Sequence, residues 1–317
     1  MQPQIDMSKQ LISIVTPTYN EIENIELLLN KIRVVIDKLE AYDFEILVID
    51  NCSSDGTQDK IRELAKNDLR IKAIFNLRNF GHIRSPYYGI LQSNGAATIY
   101  LASDFQDPPD LIPQFIEEWE KGWKLVMGIK PVSKNNPLIH FIRKSYYRFI
   151  DKITEIEIIK DSTGFGLYDR QVLNKLKQIN DPYPFLRGLI CELGYPIKTL
   201  PFVQPQRLSG SSKNNFYTLF DIGMLGMVSH SKVPIRFASL FGCFMGAVSM
   251  LVAFYYLVMK IFLWDAFPLG SAPVIIGLFF LLGVLILFIG ILGEYIGSIH
   301  TYIQNRPIIV EKERINF

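Results

Sequence analysis

The sequence predicts an α/β protein with a mainly parallel sheet, followed by a pair of membrane-spanning helices. Up to about residue 130, short apolar runs alternate with segments of helical period, the pattern of repeated βα units. Composition then changes once, near residue 235. Beyond it, Phe237 to Met259 and Ala266 to Gly293 contain no Asp, Glu, Lys or Arg. Each is long enough for a spanning helix, which needs about 20 mostly apolar residues.

Leu11 to Thr16 reads as the first strand. Asn20 and Glu23 resemble a capping pair for the next helix, where Ile25, Leu28, Leu29, Ile32, Val35, Ile36 and Leu39 fall at helical spacing. Phe44 to Ile49 is almost continuously apolar, as expected of a strand buried on both faces, and it ends at Asp50. Further strands are expected at Ile71 to Phe75, Ala97 to Leu101 and Leu125 to Ile129, with helices at Ile83 to Gln92 and Leu111 to Lys121. Pro108 and Pro109 suit the start of the latter helix.

Three of these strands end in polar clusters: Thr18-Tyr19-Asn20-Glu21, Asp50 to Asp55, and Ser103 to Asp107. In an open α/β sheet the clusters share the carboxyl edge, where ligands bind. No GxGxxG follows the first strand and no GxxxxGK[ST] occurs, which excludes the usual dinucleotide and P-loop signatures. Asp104, Gln106 and Asp107 place hard oxygen donors at one strand end, suited to Mg²⁺ or Mn²⁺ on a diphosphate. Asp107 has a second reading, as a cap for the helix beginning near Pro108.

The 317 residues carry a net charge of +2, too small to indicate nucleic acid. Cys52, Cys191 and Cys243 form no CxxC pair and read as packing residues in a reducing compartment. The polar stretch Met1 to Gln10 is no signal peptide, so the large N-terminal part is expected in the cytosol. Lys232 and Arg236 precede the first span; His300, Arg306, Lys312 and Arg314 follow the second. The positive-inside rule places both ends of the hairpin in the cytoplasm.

Several runs together resemble the family 2 glycosyltransferases of the GT-A fold, a Rossmann-like architecture. They are Ser13 to Glu21, Asp50-Asn51-Cys52-Ser53-Ser54-Asp55-Gly56-Thr57, Arg78-Asn79-Phe80-Gly81-His82 and Asp104-Phe105-Gln106-Asp107-Pro108-Pro109. Asp161 to Arg170, Arg207 to Lys213, Gly293 to Gly297 and Arg306-Pro307 continue the match over nearly the whole chain. Within the family the chain is similar to the polyprenyl-phosphate branch, which includes dolichol-phosphate mannose synthases and bacterial undecaprenyl-phosphate glucosyltransferases.

The resemblance implies that Pro17, Tyr19, Glu21 and Asp50 hold the nucleotide base and ribose, with Asp55, Asn79 and Gly81 in the same donor site. It implies a metal on Asp104 and Gln106, with Asp107 as a substitute ligand, and Arg207 and Lys213 near phosphates. Arg207 and Lys213 also read as a solvated basic loop. Asp161 is a candidate for orienting the sugar hydroxyls or the acceptor. Two departures stand out: Ala102 where the family's metal motif often begins with Asp, and Gly166 where relatives often carry Arg.

The expected organisation is a cytosolic catalytic domain over 1–215, a juxtamembrane amphipathic helix over 216–235, spans over 236–264 and 270–293, and a cytosolic tail over 294–317. The partners expected are a nucleotide-sugar donor of the UDP-linked kind, a polyprenyl phosphate and the bilayer of the plasma membrane. Phe216 to Val228 reads either as an interfacial helix or as one packed on the core. Arg143 and Lys144, in a helix over 138–153, read either as contacts for lipid phosphate or as a solvated face. Gly242, Gly246, Gly277 and Gly283 permit close helix packing, within the hairpin or in a homo-oligomer. Two alternatives are a processive polysaccharide synthase, disfavoured because no Trp directly follows an Arg, and a non-catalytic scaffold that binds sugar nucleotides, for which Ala102 is the only support.

Overall fold

The computed structural model describes residues 9–130, 159, 162–179, 181–205, 233–262, 271–304 and 306–317. They fall into two units, a globular α/β unit that includes the last residues of the chain, and a unit containing two long helices.

In the globular unit, β1 (Gln10–Thr18), α1 (Ile22–Ile36), β2 (Tyr42–Asp50), α2 (Thr57–Asn67), β3 (Ile71–Asn76), α3 (Gly81–Gln92) and β4 (Ala97–Tyr100) form successive βα units. A short 3₁₀ turn at Pro109–Leu111 leads into α4 (Ile112–Glu120), then β5 (Leu125–Ile129). After the undescribed segment come β6 (Ser162–Asp169), α5 (Arg170–Gln178), α6 (Leu186–Glu192) and β7 (Ile197–Pro201), and finally β8 (Glu311–Ile315). The eight-stranded sheet has the order β7-β5-β6-β4-β1-β2-β3-β8. β1 to β4 are mutually parallel, and β5 is parallel to β7. β6 and β8 run antiparallel to their neighbours.

Period-two burial explains the layers. On β2, Phe44, Ile46 and Val48 pack with Ile25, Leu28 and Ile32 of α1 and Ile61 of α2. Leu47 and Ile49 turn to the other face, with Tyr87 and Ile90 of α3 and Val172 and Leu173 of α5. β2 is therefore buried on both faces, as its continuous apolar run predicts. Gly89 lets α3 lie close to the sheet, because a Cβ there would meet Ile49 Cγ2 at 2.8 Å.

The expected capping pair is not what starts α1. Asn20 has φ 54°, Glu21 occupies the N-cap, and its carboxylate accepts from Asn24 Nδ2 at 2.6 Å. Gly166 also has a physical explanation. On β6 it faces Met127 of β5, and a Cβ would lie 2.3 Å from the Val126 carbonyl oxygen, so no side chain fits.

The second unit contains α7 (Val233–Phe262) and α8 (Ser271–Ile303). Both are longer than the apolar stretches alone indicate, and α8 continues well past Gly293. Phe241 of α7 and Phe288 of α8 have ring centroids 5.6 Å apart. Among the described residues, Phe280–Ile303 is long and apolar enough to cross a bilayer, with mean hydropathy 2.2 and none of it buried.

The last residues, expected as a tail, pair with β3 as a charged edge strand. Tyr88 Oη donates to Glu311 at 2.8 Å, Arg62 meets Glu313 at 2.8 Å, and Asn316 Nδ2 donates to the Ala65 and Ile71 carbonyls at 2.8 Å each.

Candidate donor site at the carboxyl edge of the sheet

Chain order reverses between β1 and β4, so the switch point of the sheet lies between them. β4 follows β1 only as far as the Leu101 N–H, which donates to the Val15 carbonyl at 3.1 Å. Past that point β1 continues alone on this side, opposite β2, through Thr18. Pro17, which has no N–H to donate, sits where β4 has already left, so a proline is tolerated in a central strand. The parting of the two strands makes the crevice.

Three loops line this edge, and each contains one non-glycine residue in the left-handed region: Asn20 at φ 54°, Cys52 at 66° and Phe105 at 61°. Such strain persists where the surroundings over-determine it, commonly at ligand sites. Here hydrogen bonds do so. The Asn20 N–H donates to Ser53 Oγ at 2.8 Å and the Ser54 N–H to Asn20 Oδ1 at 2.8 Å, locking the first two loops together.

Asp50 is fully buried at the end of β2. Its Oδ2 accepts from the Ser53 N–H at 2.9 Å and Gln58 Nε2 at 2.7 Å, while its Oδ1 is buried with no partner among the described residues. An unmatched buried acceptor is costly and is relieved by a ligand donor. Asp55 is committed to the loops: Oδ1 accepts from Thr57 Oγ1 at 2.6 Å and Oδ2 from the Ile22 N–H at 3.2 Å. Burial opposes its ionisation, yet the Thr57 hydroxyl and N–H and the Ile22 N–H hold its carboxyl below the usual range. Tyr19 and Glu21 are half-buried on the first loop.

Asn51, not singled out from the sequence as a site residue, is the hub of the third side. Its Nδ2 donates to Asn79 Oδ1 at 2.8 Å and to the Gly81 carbonyl at 3.2 Å. Its Oδ1 accepts from Asn76 Nδ2 at 3.1 Å and the Phe80 N–H at 2.9 Å. Asn79 in turn accepts from the Gly81 N–H at 2.8 Å, and Gly81 has φ 90°, which glycine adopts without penalty. Asn79 and Gly81 are thus brought to the edge beside Asp50.

The acidic loop after β4 has two sides. Asp104 and Gln106 are half-exposed, with the Gln106 N–H on Asp104 Oδ1 at 3.2 Å. Asp107 is buried, and its Oδ2 accepts from the Ala102 N–H at 2.9 Å, bracing the loop from within. Burial pushes the Asp107 carboxyl up to about 6, opposed by the Ala102 N–H, with the Asp104 charge raising it further. The geometry gives Asp107 the bracing role. Among the described residues no group of three or more His, Cys, Asp and Glu is placed to hold a metal alone. The side-chain oxygens of Asp104 and Gln106 are of the hard type that a small divalent cation takes. Asp161, Arg207 and Lys213, with Arg143 and Lys144, 138–153 and Phe216 to Val228, lie outside the described residues.

A mainly parallel sheet with a crevice at its switch point, rimmed by buried Asp50 and by Asp104, defines an open-sheet α/β protein of the class that takes ligands at the carboxyl edge. Residues 13–177 match the glycosyl transferase family 2, and the chain belongs to that family. It is therefore a glycosyltransferase with a GT-A-like catalytic unit. It is 32% identical to the uncharacterized glycosyltransferase YkcC of Bacillus subtilis, over 95% of this chain and 93% of that protein. It is 32% identical to the putative glycosyltransferase CsbB of the same organism, over 97% and 93%. It is 29% identical to the SfII prophage-derived bactoprenol glucosyl transferase of Shigella flexneri, over 95% and 97%.

Proposed function

We propose that the protein is an inverting hexosyltransferase that moves a sugar from a nucleotide-sugar, UDP-linked, to a polyprenyl phosphate at the cytoplasmic face of the plasma membrane. The observation that carries this reading is the presence, in one chain, of a donor-type sheet edge and an exposed apolar helix. The end-to-end similarity to a bactoprenol glucosyl transferase supports it.

Connectivity supports two crossings. β7 and β8 belong to one sheet, so the segment between them leaves from and returns to the same side of any bilayer. It must cross an even number of times. α8 supplies one crossing and α7 the other, with Phe237, Leu240, Phe244 and Phe254 exposed. Exposed apolar surface of this extent belongs in lipid.

In the reaction, a lipid phosphate is already ionised near neutral pH, so no strong general base is needed. Attack on the anomeric carbon from the face opposite the nucleotide inverts configuration, and positioning dominates the rate. Asp50, with its unmatched Oδ1, orients the nucleotide, and Pro17, Tyr19 and Glu21 wall the same pocket. Asp104 and Gln106 would hold Mg²⁺ or Mn²⁺, which neutralises charge growing on the departing diphosphate. Arg207 and Lys213 are assigned to the phosphates and Asp161 to the sugar or acceptor, following the family pattern.

The test is a donor screen. Purified full-length protein with Mn²⁺ and undecaprenyl phosphate is given labelled UDP-glucose, UDP-GlcNAc or GDP-mannose. One donor is expected to label the organic phase. Labelling of a soluble sugar acceptor with none in the lipid phase would overturn the lipid assignment.

A further inference from the structure

A second group of charges lies along the same edge, and nothing in the preceding account uses it. Arg187, at the start of α6, donates through Nη1 to the Ser162 carbonyl at 3.0 Å, which holds it at the beginning of β6. That is the residue next to Asp161. Its charge, like those of Asp107 and Asp104, is felt by the Tyr100 hydroxyl on β4. Its guanidinium carbon is 5.6 Å from the Phe185 ring centroid.

Arg84, in the first turn of α3, approaches from the other side. Its guanidinium carbon is 5.1 Å from the Tyr183 ring centroid, in the loop that leads to Arg187. Arg84 Nε is buried and has no hydrogen-bond partner among the described residues. His82, two residues earlier, is exposed as a residue, and partial desolvation of its ring and then the Arg187 charge hold its pKa below the ordinary value. Arg84 of α3 and Arg187 of α6 are thus both set against aromatic rings of the 181–185 loop, with His82 in reach of the Arg187 charge. Among the described residues neither guanidinium is in an ion pair with a carboxylate.

Holding two guanidinium groups near one another costs energy unless an anion is shared between them. Stacking on Tyr183 and Phe185 fixes their planes but leaves donor edges open, and a guanidinium edge is matched to phosphate oxygens. We propose that Arg187 and Arg84, flanked by His82, form a phosphate-binding wall of the active site where α3 approaches the 181–185 loop. Resting on the glycosyltransferase reading above, the wall takes a phosphate group of a substrate, either the donor diphosphate or the lipid acceptor's monophosphate.

The experiment uses the full-length protein in detergent, with UDP plus Mn²⁺ as one probe and undecaprenyl phosphate as the other, binding being measured by titration calorimetry. Arg84→Ala and Arg187→Ala are each expected to weaken one probe by about tenfold or more, and the Lys variants to recover part of the loss. Loss confined to UDP assigns the wall to the donor, and loss confined to the lipid assigns it to the acceptor. Phenylglyoxal labelling of the wild-type protein, read by peptide mass spectrometry, needs no variant: the same probe is expected to protect Arg84 and Arg187. Binding of both probes to both variants within about twofold of wild type, or no protection of either arginine, overturns the proposal. Wild-type protein that binds neither probe overturns it too. Weakened UDP binding in a protein that makes no lipid-linked product keeps the wall and removes only the acceptor assignment.

Discussion

Replacing Asn51 by Ala removes four side-chain hydrogen bonds at once, two partly buried, to Asn79 and the Gly81 carbonyl, and two buried, from Asn76 and the Phe80 N–H. At about 1 kcal/mol net each, partly recovered by water entering, the loss is about 3 kcal/mol. That is a large part of the roughly 5–15 kcal/mol that holds a domain folded. For a domain of this size it lowers Tm by about 6–12 °C. Thermal unfolding of full-length protein in detergent, followed by circular dichroism, measures it. Asn51→Asp is expected to be at least as damaging, because it sets a carboxylate oxygen against Asn79 Oδ1 and the Gly81 carbonyl. UDP binding by the folded Ala variant is expected to weaken as well, since the Asn79–Gly81 turn loses its anchor. A Tm within about 2 °C of wild type would refute the view that Asn51 organises this edge.

Asp104→Asn is expected to abolish turnover with Tm nearly unchanged, because the side chain is half-exposed and its neighbours keep the loop; unchanged turnover with Mn²⁺ removes Asp104 from the metal site. Gly166→Arg, which restores the residue common in relatives, is expected to destabilise the fold severely, since the Val126 carbonyl occupies the place of its Cβ; soluble, folded protein at wild-type yield contradicts that. Deleting 310–317 strips β3 of its edge partner and the Arg62–Glu313 pair, and limited proteolysis should then cut the α2–β3 region faster than in wild type. Burial raises the Glu45 pKa, but Lys72, Ser13 and the Asn94 N–H outweigh it and hold the carboxyl below its ordinary 4.5. A group lowered on folding stabilises above its unfolded pKa and loses that contribution as pH falls through the folded one. Glu45→Gln should therefore flatten the acid side of the stability profile below about pH 4.5 and leave its slope near neutrality unchanged.

The parts of the fold that were legible were those whose burial is written as apolar runs. β1 to β5, α1, α3 and α4 fall within a few residues of the expected bounds, since each covers one or both faces of a core. β8 was not legible: Glu311-Lys312-Glu313-Arg314 reads as a solvated tail, and only β3 makes it a strand. β6 carries a motif but is hidden as a strand by two glycines that lower strand propensity: Gly164, which has φ 94°, and Gly166, where the Val126 carbonyl leaves no room for a Cβ. In the site, the three polar clusters were readable because they end strands. The division of labour within them was not. Asp107 differs from Asp104 by the Ala102 N–H it accepts, and Asn51 matters through partners twenty-five or more residues away. Such pairings are set by the fold and leave no local pattern. The approach of Arg84 on α3 to Tyr183, in the loop before α6, is of the same kind.

The central claim is transfer of a glycosyl group, rather than a sugar phosphate, to a lipid phosphate. The most direct measurement is the nucleotide released alongside the lipid product in a reaction of purified protein, UDP-sugar and undecaprenyl phosphate. One UDP for each lipid-linked sugar, together with a product mass equal to the lipid phosphate plus one glycosyl residue, is the result predicted. Release of UMP with a lipid diphosphate product, or UDP release with no lipid-linked sugar, would contradict it.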